Sequence, residues 1–521
     1  MSNDSVFSVV IIGGGLAGLS AAAHLAERGI EALVLDADSL WAGGRLAGGD
    51  SYTFEYQGRD WSFKPEHGVH GLWGGYVNMR AMLKRFTDTV PLPSAGEEWI
   101  NRWGREVRRI EAGNAIRSRW IPAPFHYLQL LFHPQIWANI QPWDFLSLPG
   151  FLNSIFLTLG VDPLKEQRVW DGLTLRDFFI GWTPNLRTTF EGLASNLLAA
   201  PKDEISLTGF IAALRFYTML RRDSWQIAYL PADAHTSIIQ PLTDYINTHG
   251  GAVEAGITAT KLEQVASGWR VTVDDSKRGG LRSLMAEQLI LAVDSSAAKR
   301  LLCHSPDTAT IAENLIFPDA VASAVVRLWF DAAPREGTQG GMMTGDFKPD
   351  NFFWLHRMYD DCRAWHDETG GSIIELHYYD PALINLPERN LIVESVTEVQ
   401  RAFPQLKRHF VHAAVRRNSK THGKFRVPDS RSLFVETPFP QLYACGDWIG
   451  YDTPSMWMER STTTAIAAAN QVLVQHGKEP YPILQPPQPE MLARIIGGIM
   501  RVARLLLTPI ISQIRRLRKR K

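Results

Sequence analysis

Residues 6 to 36 read VFSVVIIGGGLAGLSAAAHLAERGIEALVLD, and this stretch decides how the rest of the chain is understood. Val6 to Ile12 is rich in β-branched side chains, as suits a strand buried on both faces. Gly13, Gly15 and Gly18 then supply G-x-G-x-x-G where a helix opens. Gly13 permits the tight turn, Gly15 lets a pyrophosphate approach the backbone, and Gly18 lets the helix lie close on the sheet. Leu16 and Ala17 stand in the same turn, where free N–H groups and the positive end of the helix favour phosphate. Ala21, Ala22 and Ala23 keep the helix slim, Gly29 is placed as its left-handed cap, and Glu31 to Asp36 returns as a second strand. Asp36 follows Gly18 at close to the roughly 20 residues expected of the acid that accepts ribose hydroxyls. Together these parts specify a dinucleotide-binding unit.

The unit alone does not choose between NAD and FAD. Ala42, Gly43, Gly44 and Arg45 follow the acid, and this run resembles the GGR signature of the flavin amine oxidase and carotenoid desaturase superfamily. The resemblance implies FAD, with Gly44 and Arg45 at its diphosphate. Residues 442 to 448, LYACGDW, and 453 to 473, TPSMWMERSTTTAIAAANQVL, are similar to the same superfamily's AGDW and SMEGA-like segments. A strand ends at Gly446 and Asp447, and a helix begins after Pro454 and Ser455. A helix N-terminus aimed at a flavin stabilises negative charge on the reduced ring. The resemblance places Asp447 at the ribityl or diphosphate part, and the backbone of Met456 and Trp457 at the ring. MER followed by small residues is closer to the carotenoid ring-aromatising branch than to plain desaturases, although Trp457 departs from both. Cys445 reads as a buried small residue in a strand rather than as a point of flavin attachment.

Residues 60 to 83, DWSFKPEHGVHGLWGGYVNMRAML, resemble the HGxHxxxxxYxN segment of flavin-dependent carotenoid enzymes, here His67, Gly68, His70, Tyr76 and Asn78. His67 and His70 are the candidate catalytic residues, the alternative being that they hydrogen-bond a turn. No further ligand recurs with them, so no metal site is expected. Residues 229 to 265 read as a helix ending near Gly250 and then strands. By resemblance Ala259 contacts adenine through its backbone, and Leu289 to Val293 rejoins the nucleotide sheet.

The expected fold is α/β, a Rossmann-like FAD/NAD(P)-binding domain interleaved with an α+β substrate domain, a helical cap and a basic amphipathic tail. FAD-binding parts are assigned to 1–90, 231–300 and 416–475, the cap to 91–230, the substrate sheet to 301–415 and the tail to 490–521. Residues 125 to 160 contain Phe132, Trp137, Trp143, Phe145, Phe151 and Phe156, with Asp144 the sole Asp, Glu, Lys or Arg. Prolines at 134, 142 and 149 break this run before the roughly 18 apolar residues of a spanning helix; helical cap elements lining an apolar tunnel are expected, the alternative being an ordinary helical core. Trp329, Phe352, Phe353, Trp354, Tyr378 and Tyr379 are each candidates for pocket or for core.

The chain has 521 residues, 45% apolar and 21% charged, an ordinary globular composition. Single cores rarely grow past about 250 to 300 residues, so two domains are expected. Its zero net charge hides an asymmetry: residues 490 to 521 carry nine Lys or Arg and one acid, leaving 45 bases against 53 acids elsewhere. A mildly acidic body argues against a nucleic-acid partner. In the tail, Ile495, Ile499, Val502 and Leu506 fall on one helical face, which suits peripheral contact with a membrane interface, the alternative being a disordered basic tail or a helix docked on the body. Three cysteines without metal-ligand spacing favour a reducing compartment, and no signal peptide precedes the first strand. A cytoplasmic, membrane-associated protein is expected.

The resemblance implies an FAD-dependent oxidoreductase that dehydrogenates an apolar isoprenoid or carotenoid by hydride transfer to flavin N5. Oxygen or a quinone would reoxidise the flavin, since no second dinucleotide motif is visible, and no general base is evident. The alternatives are an amine oxidase acting on a small amine and a non-catalytic isoprenoid carrier of the same fold, as in the GDP-dissociation inhibitor family. Asp36, Arg45 and Asp447 speak against the carrier, which has no need of flavin contacts.

Overall fold

The computed structural model describes residues 6–113, 120–335 and 337–518, with side chains described as far as residue 506. Strand Val6–Ile12 lies between Ala32–Asp36 and Gly280–Leu291 and is parallel to both. Ala252–Ala255 extends the sheet beyond Ala32–Asp36, and Leu442–Ala444 pairs in parallel with the end of Gly280–Leu291. Val9, Val10 and Ile11 are fully buried, as their β-branched run requires of a strand covered on both faces. An antiparallel meander of Ile257–Val265, Gly268–Asp275 and the first half of Gly280–Leu291 completes this sheet. Helix Leu16–Glu27 packs on helix Trp457–Gln475, and Ala21 to Ala23 of one and Ala465, Ala468 and Ala469 of the other are fully buried. Gly29 ends the first helix at φ +72°, the left-handed conformation its position implies.

A second seven-stranded sheet runs in the order 410–423, 320–330, 372–378, 351–354, 340–345, 97–103 and 106–111. All its neighbours are antiparallel except Gly340–Gly345 and Glu97–Trp103. Strands Glu97–Trp103 and Glu106–Glu111 fall within the segment assigned to the helical cap, yet they form the edge of this substrate-domain sheet. Helix Glu388–Ala402 packs behind it.

The cap proper is built from short 3₁₀ turns, helices Leu148–Gly160 and Pro184–Leu198, and helix Leu207–Leu214. Its aromatics correct the tunnel expectation. Phe132, Trp137, Trp143, Phe145 and Phe151 are exposed, with Phe132 at 77% and Phe145 at 65%, and neither they nor Phe156 line the cavity described below. Phe132 lies on the 3₁₀ turn Phe125–Phe132, Trp143 and Phe145 on Pro142–Ser147, and Trp137 and Phe151 on the helices that follow these turns. Among the described residues no single helix is long and apolar enough to cross a membrane; the pair Pro142–Gly160 and Pro163–Trp170 has the length and composition together but is bent by 84°.

The tail is one helix, Met491–Arg518, lying against Leu148–Gly160. Glycines set the approach: a Cβ on Gly497 would meet Leu159 O at 3.1 Å, and one on Gly160 would meet Met500 at 3.3 Å. Arg501 pairs with Asp162 at 3.4 Å, and Arg504 pairs with Glu166. Ile495, Ile499, Val502 and Leu506 remain exposed on the other side.

Candidate flavin and substrate site

At the glycine turn, Gly13 has φ +112° and donates its N–H to Leu35 O at 2.8 Å. Any Cβ on Gly18 would overlap Gly13 O, so this glycine is required by helix–strand packing alone. Gly15 is different. Its φ of −76° is open to any residue, and a Cβ there would find only Gly43 O, 3.9 Å away. The protein leaves that space free. Asp36 closes the second strand with Oδ2 accepting the Gly14 N–H at 3.0 Å and Oδ1 accepting the Asp38 N–H at 2.8 Å. Burial raises its pKa while these bonds pull it down.

Arg45 stands opposite, in the single turn Gly44–Leu46. Its Nη2 donates to Asp447 Oδ2 at 2.5 Å, and its Nη1 lies 2.8 Å from His422 Nδ1. Burial pushes His422 down to about 4, so the neutral ring accepts from the guanidinium. The two motifs, 402 positions apart in the chain, thus meet at one ion pair. Trp457 opens the helix that follows, at φ +50°, an uncommon conformation for a bulky residue. Its indole Nε1 donates to Leu197 O at 3.0 Å, and its ring lies 4.5 Å from that of His422.

These groups share one cavity of about 690 Å³. Gly13, Gly15, Leu16, Ala17, Asp36, Gly44, Arg45, Gly446, Asp447 and Trp457 all line it, as do His67 and His70. Gly18 sits behind the wall and Met456 is buried outside it. Ala259 does not reach the cavity either; the strand that runs beside Asp36 is Ala252–Ala255, with Ala255 opposite the acid. Among the pocket candidates Phe353 and Tyr379 line it, whereas Trp329, Phe352, Trp354 and Tyr378 are core. Cys445 is fully buried and burial pushes its thiol up. Among the described residues no group of three or more His, Cys, Asp or Glu side chains could hold a metal ion.

The family model for flavin-containing amine oxidoreductases matches residues 16–473. The chain belongs to that family. It is an FAD-dependent oxidoreductase of the flavin amine oxidase superfamily, on the carotenoid desaturase branch. It is 26% identical to a carotenoid phi-ring synthase of Streptomyces griseus, over 90% of this chain and 88% of that one. It is 23% identical to a 15-cis-phytoene desaturase of Synechococcus elongatus, over 84% and 87%. Its fold is that of a putrescine oxidase (TM-score 0.63, 13% identity, 90% and 99% covered) and of cyclohexylamine oxidase from Brevibacterium oxydans (0.59, 13%, 91% and 100%).

The flavin family's residues fit an FAD in this cavity on the evidence of Gly15, whose side-chain space is reserved for something other than protein. Beyond Arg45, the cavity continues to the histidine loop. Gly68, at φ +150°, carries the loop past His377, and Val69 N–H donates to Glu375 Oε1 at 3.0 Å. Glu375 is ion-paired with Arg327 at 2.9 Å and accepts from His377 Nε2 at 3.1 Å; Arg327 holds its carboxyl down at about 2. Tyr76 and Asn78 of the same motif do structural work. Tyr76 hydrogen-bonds Tyr217 at 2.9 Å, and Asn78 donates to Glu459 Oε1 at 2.8 Å. Glu459 in turn accepts the Asn78 and Met79 N–H groups, both at 2.9 Å, and so caps helix Val77–Phe86. Glu66, Glu375, Arg327, Tyr359 and His422 escaped the sequence reading. Glu66 stood inside the quoted motif, but the others have no local pattern and come to the site only through the second sheet and its helices.

Proposed function

We propose that this enzyme dehydrogenates an apolar isoprenoid of the carotenoid class, taken from a membrane. The observation that carries the reading is an outer face that a water-soluble substrate does not need. Trp143, Phe145, Leu146, Leu148 and Leu152 of the cap, and Ile495, Ile499, Val502, Leu505 and Leu506 of the tail helix beside it, are all exposed. Exposed apolar patches mark sites of protein or membrane contact, and these side chains lie on or just before helix Leu148–Gly160 and on the tail helix packed against it. The tail ends in Arg515, Arg516, Arg518, Lys519, Arg520 and Lys521, a basic cluster that anionic lipid attracts by about 1 kcal/mol per residue near the surface. The full-length likeness to enzymes named for carotenoid chemistry supports the same substrate class.

Flavin bound in the cavity would supply a two-electron acceptor for hydride from a C–H bond. Asp36 would take the ribose hydroxyls, while Gly15 and the helix start at Leu16 would admit the diphosphate that Arg45 neutralises. The first N–H groups of helix Trp457–Gln475 would offset negative charge at the ring. Trp73, Tyr229, Phe353 and Tyr379 on the cavity wall would hold a flat polyene end by aromatic contact. Oxygen or a quinone would take the electrons afterwards.

The test is anaerobic mixing of FAD-loaded protein with cyclic and acyclic carotenoids in liposomes, and separately with small amines, while the flavin absorbance is followed. Bleaching by a carotenoid is the expected result. Bleaching by an amine and by no polyene would overturn the reading in favour of an amine oxidase.

A further inference from the structure

We propose that His70, backed by Glu66, accepts the proton released in the dehydrogenation, an assignment that rests on the reading above. Converting H–C–C–H to C=C removes two hydrogens. One leaves as hydride, with its bonding pair, to the flavin oxidant. The other C–H bond breaks so that its pair becomes the new π bond, and a proton is set free. Charge balances inside the cavity only if a basic group receives that proton.

Two histidines line the cavity from the same loop, and their surroundings separate them. His67 stands near Arg45 and Arg416, and burial, the His70 ring and these cations hold it well below its usual pKa. Its Nε2 has no partner. A proton placed on His67 would be unsupported. His70 has the opposite setting: Nδ1 lies 3.4 Å from Glu66 Oε1. Glu66 is fixed from behind, with Oε1 accepting the Ala234 N–H at 3.2 Å and Oε2 accepting the Tyr359 hydroxyl at 2.5 Å.

The charge count around Glu66 is what gives this pair a function. Two carboxylates are buried under the loop, Glu66 and Glu375. Glu375 has Arg327, bound through Nε at 3.2 Å and Nη2 at 2.9 Å. Glu66 has no Lys or Arg at ion-pair distance among the described residues; His70 is its one basic neighbour there. Burial pushes the Glu66 carboxyl up while His70 and the Tyr359 hydroxyl pull it down, and a proton on His70 supplies the counter-charge that holds Glu66 ionised. His67 stands 6.2 Å away between ring centroids and His422 is held neutral, while Arg45 and Arg416 line the same cavity and Glu375 acts on Glu66 from beneath. With Nδ1 directed at the carboxylate, Nε2 is the atom left to take the proton. His70 is the proton acceptor in this scheme, and Glu66 and Tyr359 position it.

His70→Gln and Glu66→Gln test the assignment, using FAD-loaded full-length protein and a carotenoid that bleaches the wild type. Bound FAD per chain and the visible flavin spectrum should be unchanged in both. Anaerobic bleaching should slow about 100-fold or more in His70→Gln, with half-saturation unaltered, and about 10-fold in Glu66→Gln. The fall in wild-type rate on acidification should be absent from His70→Gln and displaced in Glu66→Gln, which a merely structural role would not produce. A His70→Gln protein that is bleached at the wild-type rate overturns the assignment and leaves the desaturation reading standing. Loss of FAD from His70→Gln also overturns it, by making the ring part of the cofactor's seat. Wild type bleached by no polyene overturns both readings.

Discussion

Two glycines three positions apart illustrate how residue identity divides between fold and ligand. Gly18 is glycine because a methyl would overlap the Gly13 carbonyl, whereas the Gly15 methyl would enter open space. Gly18→Ala should therefore lower apoprotein stability by about 1 to 3 kcal/mol, the usual cost of overpacking. Gly15→Ala should leave the apoprotein melting temperature unchanged while sharply reducing bound FAD. Thermal melts of both apoproteins, paired with flavin content after reconstitution, check the contrast; equal effects on stability would refute it. Both glycines, Asp36, Arg45 and Asp447 were legible in sequence because each belongs to a motif of fixed spacing. The Arg45–His422 contact and the Glu66–Tyr359 bond were not, since their partners lie 377 and 293 residues away with no motif of their own.

Whole elements were legible where their side-chain period was clean. The strand at 6–12 and the helix ending near Gly250 appear close to where a β-branched run and a glycine placed them. The cap was legible as aromatic-rich and helical, but not in the direction its aromatics face. Prolines and 3₁₀ turns break the 3.6-residue period on which such a judgement depends. Asn185 fastens the exposed ridge by donating to Asn139 O at 2.9 Å and to Asp144 Oδ2 at 2.5 Å, so Trp137, Trp143 and Phe145 are held on one frame. Burying a Phe or Leu from water is worth about 1.5 to 3 kcal/mol. A Phe132→Ser, Phe145→Ser, Leu146→Ser triple variant should consequently sediment far less with anionic liposomes while keeping its FAD. Removal of 491–521 should weaken binding further and make what remains insensitive to salt. Sedimentation unchanged in both proteins would exclude this face as the membrane contact.

At the scale of the whole molecule, buried imidazoles set the response to acid. Burial lowers His24, His126 and His422 to about 4 and His356 to about 3. In the unfolded chain the same rings take up protons near 6.5. Between those limits the unfolded state binds more protons than the folded one, so stability is full above about pH 6.5 and falls as the pH drops toward 4. The melting temperature should be flat from pH 8 to 7 and decline steadily from 6.5 to 4; a constant value across that lower range would contradict the burial of these rings. The interleaving of the two sheets was expected only through the resemblance, which sends Leu289 to Val293 back to the nucleotide sheet. The parallel seam between Gly340–Gly345 and Glu97–Trp103 was not, as nothing local in either strand names the other. Interleaving also imposes a timetable on biosynthesis. Strand Val6–Ile12 emerges early, but its neighbour Gly280–Leu291 follows about 280 residues later, roughly 15 to 60 s at ordinary rates of translation. Helix Trp457–Gln475, whose Glu459 caps Val77–Phe86, comes later still. Through that interval Val9, Val10 and Ile11 present an unpaired apolar strand edge, the kind of surface that chaperones shield. The nascent chain consequently has no complete seat for its flavin until Asp447 has been made, and cofactor loading belongs to the last moments of folding.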